Sequence, residues 1–279
     1  MSSLDESINE MKKDYIHGSK WYFEKISSLL TNIGGQDIGT LKEALPNIRP
    51  GMATISNIYK ILCMKNNRSI SDLRNIGSRL LEYIGNSSTL LIKEFTKLKL
   101  NTAITLSFSS AVASLIDHTD VKQLILLRSS PGSEWVTALE KYSSSCQVTV
   151  IPDSTMFYFL KKVDSVVIGI DGMFSEGYII NKIGSYPLCL CARQLRKRVI
   201  AVGESFKASL NTEKRIAEKI GKIGHNRVKL PIFEKVPLNM LDLLITDQGS
   251  FERPESKTIR SLHNNFLMKV LYDKQGNIF

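Results

Sequence analysis

The chain has 279 residues with 43% hydrophobic side chains and a formal net charge of +10, enough apolar material for one large or two modest domains without disulfide staples. Gly and Pro are too few for a fibrous or low-complexity protein, and no apolar run approaches the roughly 20 residues of a membrane span. The N-terminus is polar and lacks the core of a signal peptide, and the four cysteines, Cys63, Cys146, Cys189 and Cys191, have neither disulfide nor zinc-ligand spacing. A reduced, cytoplasmic protein with no metal and no cofactor is expected.

Residues 1–100 read as a helical domain. Leu4, Ile8, Met11 and Tyr15 fall on one face of a 3.6-residue period, with Ser3 and Glu6 at capping-box spacing. Ile70, Leu73, Ile76, Leu80 and Ile84 repeat the pattern behind Ser69 and Asp72. Asn32 to Gln36 and Asn86 to Ser88 read as turns, with a further helix from about Ser88 to Leu98. No β alternation occurs in this part.

From residue 101 to 279 short β-rich runs alternate with helical ones. Strands are expected at Ala103–Leu106, Gln123–Leu127, Gln147–Ile151, Ser165–Ile170 and Val199–Val202. Helices are expected at Ser110–Ile116, Glu134–Tyr142, Thr155–Val163 and Tyr186–Arg196. The fold class is therefore α/β: an N-terminal helical domain, then a Rossmann-like, doubly wound, mainly parallel sheet. Such sheets bind ligands at the carboxyl ends of their strands. Three strand-end loops carry suitable chemistry: 107–110, 128–133, and 171–177 leading into 180–185. Asp171 stands where a strand runs out. Asn181 and Lys182 precede a helix, so a helix N-terminus, an amide and an ammonium could converge on a phosphate. Taken alone, Asp171 reads rather as a turn former before Gly172, and Lys182 as a surface charge. Neither GxGxxG nor GxxxxGK[ST] occurs, so no nucleotide cofactor is indicated.

Residues 193–235 hold 12 basic and 4 acidic side chains. Such an excess attracts nucleic acid, phosphorylated ligands or an acidic partner, although a plain solvated basic surface explains it as well.

Gly169, Asp171, Gly172, Gly177, Asn181, Lys182, Gly184, Ser185 and the run Glu204-Ser205-Phe206-Lys207 follow one another in an order that resembles the translation initiation factor 2B alpha/beta/delta family. Asn47-Ile48-Arg49-Pro50-Gly51-Met52-Ala53 and Leu244-Ile245-Thr246-Asp247-Gln248-Gly249 extend the likeness over nearly the whole chain. The resemblance implies one of two kinds of protein. One is a regulatory subunit acting on initiation factor 2 subunits. The other is a sugar-phosphate isomerase, of the ribose-1,5-bisphosphate or methylthioribose-1-phosphate type, in which Asp171 would be the catalytic Asp.

The isomerases carry a catalytic Cys after the first sheet strand, and here that position is Ser107. A hydroxyl is a poor proton carrier beside a thiol near pKa 8.5, and no His lies near in sequence. The expectation is a non-catalytic binding protein that keeps a sugar-phosphate or nucleotide pocket. Arg49, Ser109, Arg128, Asn181 and Lys182 would hold the phosphate. The resemblance also implies a homodimer formed through the C-terminal domain.

Overall fold

The computed structural model describes residues 3–14, 17–64, 69–211, 215–223 and 225–272. Five helices come first: α1 (Ser3–Lys13), α2 (Ser19–Thr31), α3 (Asp37–Ile48), α4 (Ala53–Cys63) and α5 (Ile70–Phe95). Leu4, Ile8 and Met11 are buried as their spacing predicts. Tyr15 and the Ser3 side chain lie outside the described residues.

Helix α5 begins with the expected cap. The Ser69 hydroxyl accepts from the Asp72 amide at 3.1 Å, and the Asp72 carboxylate accepts from the Ser69 amide at 3.0 Å. Replacing Ser69 with Ala is expected to lower stability by about 1 kcal/mol, read from a chemical denaturation midpoint with unchanged slope.

Two expectations for α5 are corrected. Ile70 is exposed, because it opens the helix before the buried stripe of Leu73, Ile76, Leu80 and Ile84. Asn86 to Ser88 is no turn: the helix runs through it to Phe95 and absorbs the separate helix expected there. Ser87 and Ser88 each donate a hydroxyl to the Ile84 carbonyl at 3.0 Å, and Lys20 donates to the Ser88 hydroxyl at 2.9 Å. Packing against α2 thus overrides the turn propensity. That packing is close: a Cβ at Gly77 would stand 2.7 Å from the Thr31 nitrogen.

The second part alternates: β1 (Thr102–Leu106), α6 (Ser110–Asp117), β2 (Gln123–Leu127), α7 (Glu134–Tyr142), β3 (Gln147–Ile151), α8 (Met156–Leu160) and β4 (Ser165–Ile168). Then come β5 (Gly172–Phe174), β6 (Tyr178–Lys182), α9 (Ser185–Gln194), β7 (Arg198–Val202) and β8 (Ala208–Ser209). The chain closes with β9 (Glu218–Ile223), β10 (Asn226–Pro231), β11 (Phe233–Pro237), β12 (Leu243–Thr246), β13 (Gly249–Glu252) and α10 (Ser256–Leu271).

The main sheet has seven strands in the order β13-β12-β7-β4-β1-β2-β3, parallel except for β13. This is the expected doubly wound sheet, with strand order reversing between β1 and β4. The expected helix at 155–163 is shorter, Met156–Leu160 after a 3₁₀ turn at Asp153–Thr155.

Beside the main sheet lies a smaller one that the hydrophobic pattern did not disclose, in the order β11-β6-β5-β8. Residues 171–177 are therefore not a loop. The chain folds back at Asp171, whose amide donates to the Ile180 carbonyl at 2.9 Å. Asn181 and Lys182 end strand β6 and, as expected, stand just before a helix, α9.

The helical part and the sheet part share a core. Phe174, Ile180, Phe206, Phe233 and Phe266 are buried in one cluster with residues of α1 to α5, and the Phe23 and Phe206 rings stack at 4.3 Å. Hydrogen bonds fasten the same seam. Asn57 donates to the carbonyls of Phe206 and Ala208 at 2.9 and 2.7 Å, and the Ala53 amide donates to the Asp171 carbonyl at 3.3 Å. Among the described residues, no helix is long and apolar enough to cross a membrane.

Candidate functional site

A doubly wound sheet opens a crevice where its strand order reverses, because the crossovers leave toward opposite faces there. In this chain the crevice lies past the ends of β1 and β4, and a narrow cleft occupies it. Ser107, Ser109, Asp171, Asn181, Lys182 and Arg49 all line it. Arg128 does not: its guanidinium stacks 5.3 Å from the Trp135 ring centroid, away from the cleft.

Each wall is held by identifiable forces. Ser107 follows β1 in a left-handed conformation, φ +60, which breaks the strand. Tyr142 clamps this bend. Its hydroxyl donates to the Ser107 carbonyl at 3.3 Å and accepts from the Ser109 amide at 3.1 Å. The Ser109 hydroxyl caps α6 by accepting from the Val112 amide at 3.4 Å. Gly169 must lack a side chain, since a Cβ there would stand 2.6 Å from that hydroxyl oxygen.

Lys182 is nearly buried. Its ammonium donates to the Glu134 carboxylate and to the Pro131 carbonyl, both at 2.8 Å. It is not the surface charge that its type allowed. Gly132 makes room for this pair, for a Cβ there would overlap the Glu134 carboxylate at 2.0 Å. The other Glu134 oxygen is buried and accepts no hydrogen bond from the described residues.

Asn181 donates to the Ser185 hydroxyl at 2.9 Å. The N-terminus of α9 is already occupied, because the Glu234 carboxylate accepts from the amides of Gly184 and Tyr186 at 2.6 and 2.9 Å. The expected convergence of that helix end with Asn181 and Lys182 on one phosphate is thus replaced by an internal carboxylate.

Three residues that the strand-end argument did not place here complete the cleft: Lys207, His17 and Ser19. Lys207 forms a buried ion pair with Glu204 at 2.8 Å. Burial pushes the Glu204 carboxyl up, but the Lys207 charge and hydrogen bond outweigh it and hold Glu204 below the usual range. Burial also lifts Asp171, and for it the attraction of Lys207 and Arg49 and the Ser19 hydrogen bond offset only part, so it stays above the usual aspartate range. The two buried carboxyls are therefore shifted in opposite directions, Glu204 toward the ionised form and Asp171 toward the protonated one.

Arg49 donates to the Tyr22 hydroxyl at 3.0 Å and lies 5.7 Å from the ring centroids of Tyr22 and Phe233, fixed on the helical side. No cysteine lines the cleft. Burial raises the thiols of Cys189, to about 12, and of Cys146 and Cys191, which disfavours their thiolate forms.

Within the basic segment 193–235, Arg193, Arg196, Lys197 and Arg198 line one surface hollow, with Asp242 and Glu252 beside them. Lys207 is buried in its pair, and Arg193 and Arg198 lie 3.3 and 3.7 Å from Asp242 and Glu252. Arg215 donates to Asn47 and to the Pro46 carbonyl at 3.4 and 3.0 Å.

Residues 22–253 match the model of the Initiation factor 2 subunit family, a span that includes most of the helices and every strand. The chain belongs to the Initiation factor 2 subunit family. A ribose 1,5-bisphosphate isomerase of Methanocaldococcus jannaschii is 26% identical over 89% of this chain and 91% of its own. One from Archaeoglobus fulgidus is 28% identical over 75% and 74%. A translation initiation factor eIF-2B subunit 2-like protein of Pyrococcus horikoshii is 26% identical over 88% and 94%.

Solved structures agree on the fold. The translation initiation factor eIF-2B of P. horikoshii superposes with a TM-score of 0.79 at 24% identity, covering 91% of this chain and 98% of its own. The 5-methylthioribose 1-phosphate isomerase of the same organism reaches 0.71 at 17% identity, covering 95% and 88%. Sugar-phosphate isomerases and initiation-factor-like proteins thus share this family's architecture, and the side chains of the cleft carry the functional reading.

Proposed function

We propose that the cleft binds a phosphorylated sugar or nucleotide, and that this is the working site of the protein. One observation carries the reading: three nearly buried cations, Arg49, Lys182 and Lys207, line a single cleft, the arginine from the helical part and the two lysines from the segments that follow β4 and β7. Buried cations in such a crevice suit an anion, and the first turn of α6 adds the positive end of a helix dipole at Ser110. Relatives named ribose 1,5-bisphosphate isomerase support a phosphorylated pentose as the ligand.

The test is calorimetry of the full chain with ribose 1,5-bisphosphate and, separately, adenosine monophosphate. Binding of at least one, weakened about 10- to 150-fold by Lys182→Ala, is the expected result, since the mutation removes one charge-assisted contact. Because Lys182→Ala also strands Glu134, the double variant with Glu134→Gln should recover stability but not affinity. Equal affinity in the wild type and the Lys182 variant would overturn the phosphate role. Failure of both ligands to bind would overturn the reading itself.

A second reading is a regulatory subunit of translation initiation that senses such a ligand. Two features favour it: Ser107 stands where the resemblance to the isomerases implies a thiol, and an eIF-2B subunit 2-like relative matches over 88% of this chain and 94% of its own. Under either reading the protein works in the cytoplasm and pairs with a second copy through its sheet domain. A related structure is a tetrameric eIF2B-beta2-delta2 complex, which supports assembly.

A further inference from the structure

His17 stands in the cleft although it lies 90 residues from Ser107 in the chain. Its placement is constrained on two sides. The ring stacks on Trp21 at 4.5 Å and 12°, and Nδ1 lies 2.6 Å from the Asp14 carboxylate. Asp14 is held in turn. Its carboxylate accepts from the His17 amide at 2.9 Å and from the Tyr22 hydroxyl at 3.3 Å, and lies 4.0 Å from Arg49. Two residues on, the Ser19 hydroxyl hydrogen-bonds Asp171. One short segment thus brings a half-exposed imidazole to the wall of the cleft and hydrogen-bonds the Asp171 carboxyl.

When Nδ1–H donates to Asp14, Nε2 carries the lone pair and serves as a base. A carboxylate, an imidazole and an adjoining reaction space form the arrangement by which a third group orients a general base. We propose that the His17–Asp14 pair supplies the proton transfer that a thiol would otherwise supply at Ser107, so that the cleft isomerises a phosphorylated aldose to its ketose. The inference rests on the sugar-phosphate reading above.

The balance closes without an outside reagent. Asp171, in the protonated form that its burial favours, gives a proton to the ring oxygen as the bond from that oxygen to sugar C1 breaks. The C2–H bond breaks next, its proton passing to His17 Nε2 and its electron pair forming the C1–C2 double bond. The C2 hydroxyl then returns a proton to Asp171 and becomes the ketone. C1 takes the proton from His17. Both groups end as they began, and C2 is oxidised as C1 is reduced within the one molecule, so no outside oxidant or reductant is needed.

The charged groups around the imidazole come from every neighbouring element. Asp14 follows α1, Lys20 and Glu24 lie on α2, and Arg49 follows α3. Asp171, Lys182, Lys207 and Glu134 face the cleft from the sheet side.

The experiment incubates the full chain with ribose 1,5-bisphosphate in heavy water and follows ketose formation and deuterium uptake by NMR, with calorimetry for binding. Wild type should turn the sugar over. His17→Ala should bind it within a few-fold of wild type while turnover falls by about 10²- to 10⁴-fold. Added imidazole should restore part of that loss, which a merely structural role for His17 would not allow. Wild-type binding without turnover, or undiminished turnover in His17→Ala, overturns this inference and leaves the binding reading standing. Absence of binding overturns the binding reading, and this inference with it.

Discussion

Replacing Glu204 with Gln should destabilise the protein by about 3–5 kcal/mol, because it leaves the Lys207 ammonium buried without its counter-charge. Both side chains of this pair are less than 5% exposed, so solvent offers no compensation. For a chain of this size the loss corresponds to a melting temperature lower by on the order of 10 °C. Removing both charges together, Glu204→Gln with Lys207→Met, should recover most of it, since a buried pair replaced by apolar packing is often neutral.

The effect should depend on pH with a definite sign. The folded protein holds Glu204 below the usual glutamate value, so its contribution is complete above that value and is lost as pH falls through the folded one. The gap between wild type and Glu204→Gln is therefore widest near neutrality and closes on acidification. A gap that stays constant between pH 7 and pH 3 would show that the ion pair is not the source.

Asp171→Asn should move stability the other way. Burial lifts the Asp171 carboxyl, so the folded state favours its protonated form and ionisation near neutral pH costs stability. Above the raised folded value that cost is present in full. It is relieved as pH falls back toward the usual aspartate value. Asparagine is uncharged throughout, so the variant should melt above wild type at pH 7 and lose that advantage in acid.

The same substitution removes the proton donor of the proposed isomerisation. Turnover of ribose 1,5-bisphosphate should fall by roughly 10²- to 10⁴-fold while the sugar still binds. A variant that is more stable yet impaired is the trade-off expected of a strained functional group. A melting temperature that drops in Asp171→Asn would mark the carboxylate as a structural partner of Lys207 and Arg49 instead.

The parallel sheet was legible in the residues alone. VVIGI, VIAV and QLILL are continuous apolar runs between amphipathic stretches, and only strands covered on both faces need that composition. Four of the five expected strands lie within one residue of their expected bounds, and β4 stops two residues short of its end. The strand-end rule led from sequence to Ser107, Ser109 and Asp171, because proximity to a strand terminus is a local property. The run from Gly169 to Lys207 marked the family for a similar reason, each residue answering to a backbone or charge requirement that only a few types satisfy.

Other features were decided by contacts between distant segments. The small sheet of β5, β6, β8 and β11 has strands of two to five residues, too short for a period to register, and forms because the chain returns on itself at Asp171. The turn expected at Asn86 vanished because α2 packs against that stretch and its serines satisfy helical carbonyls. Lys182 found Glu134 across 48 residues, and Glu234 reached the start of α9 across a similar span.

His17 is the sharpest case. Nothing in a polar stretch between two helices singles it out, and only the docking of the helical part against the sheet brings its imidazole to the end of β1. A residue's type fixes which proton it can carry, but the tertiary packing fixes what stands beside it, because the distances that govern charge and hydrogen bonding are set between segments far apart in the chain.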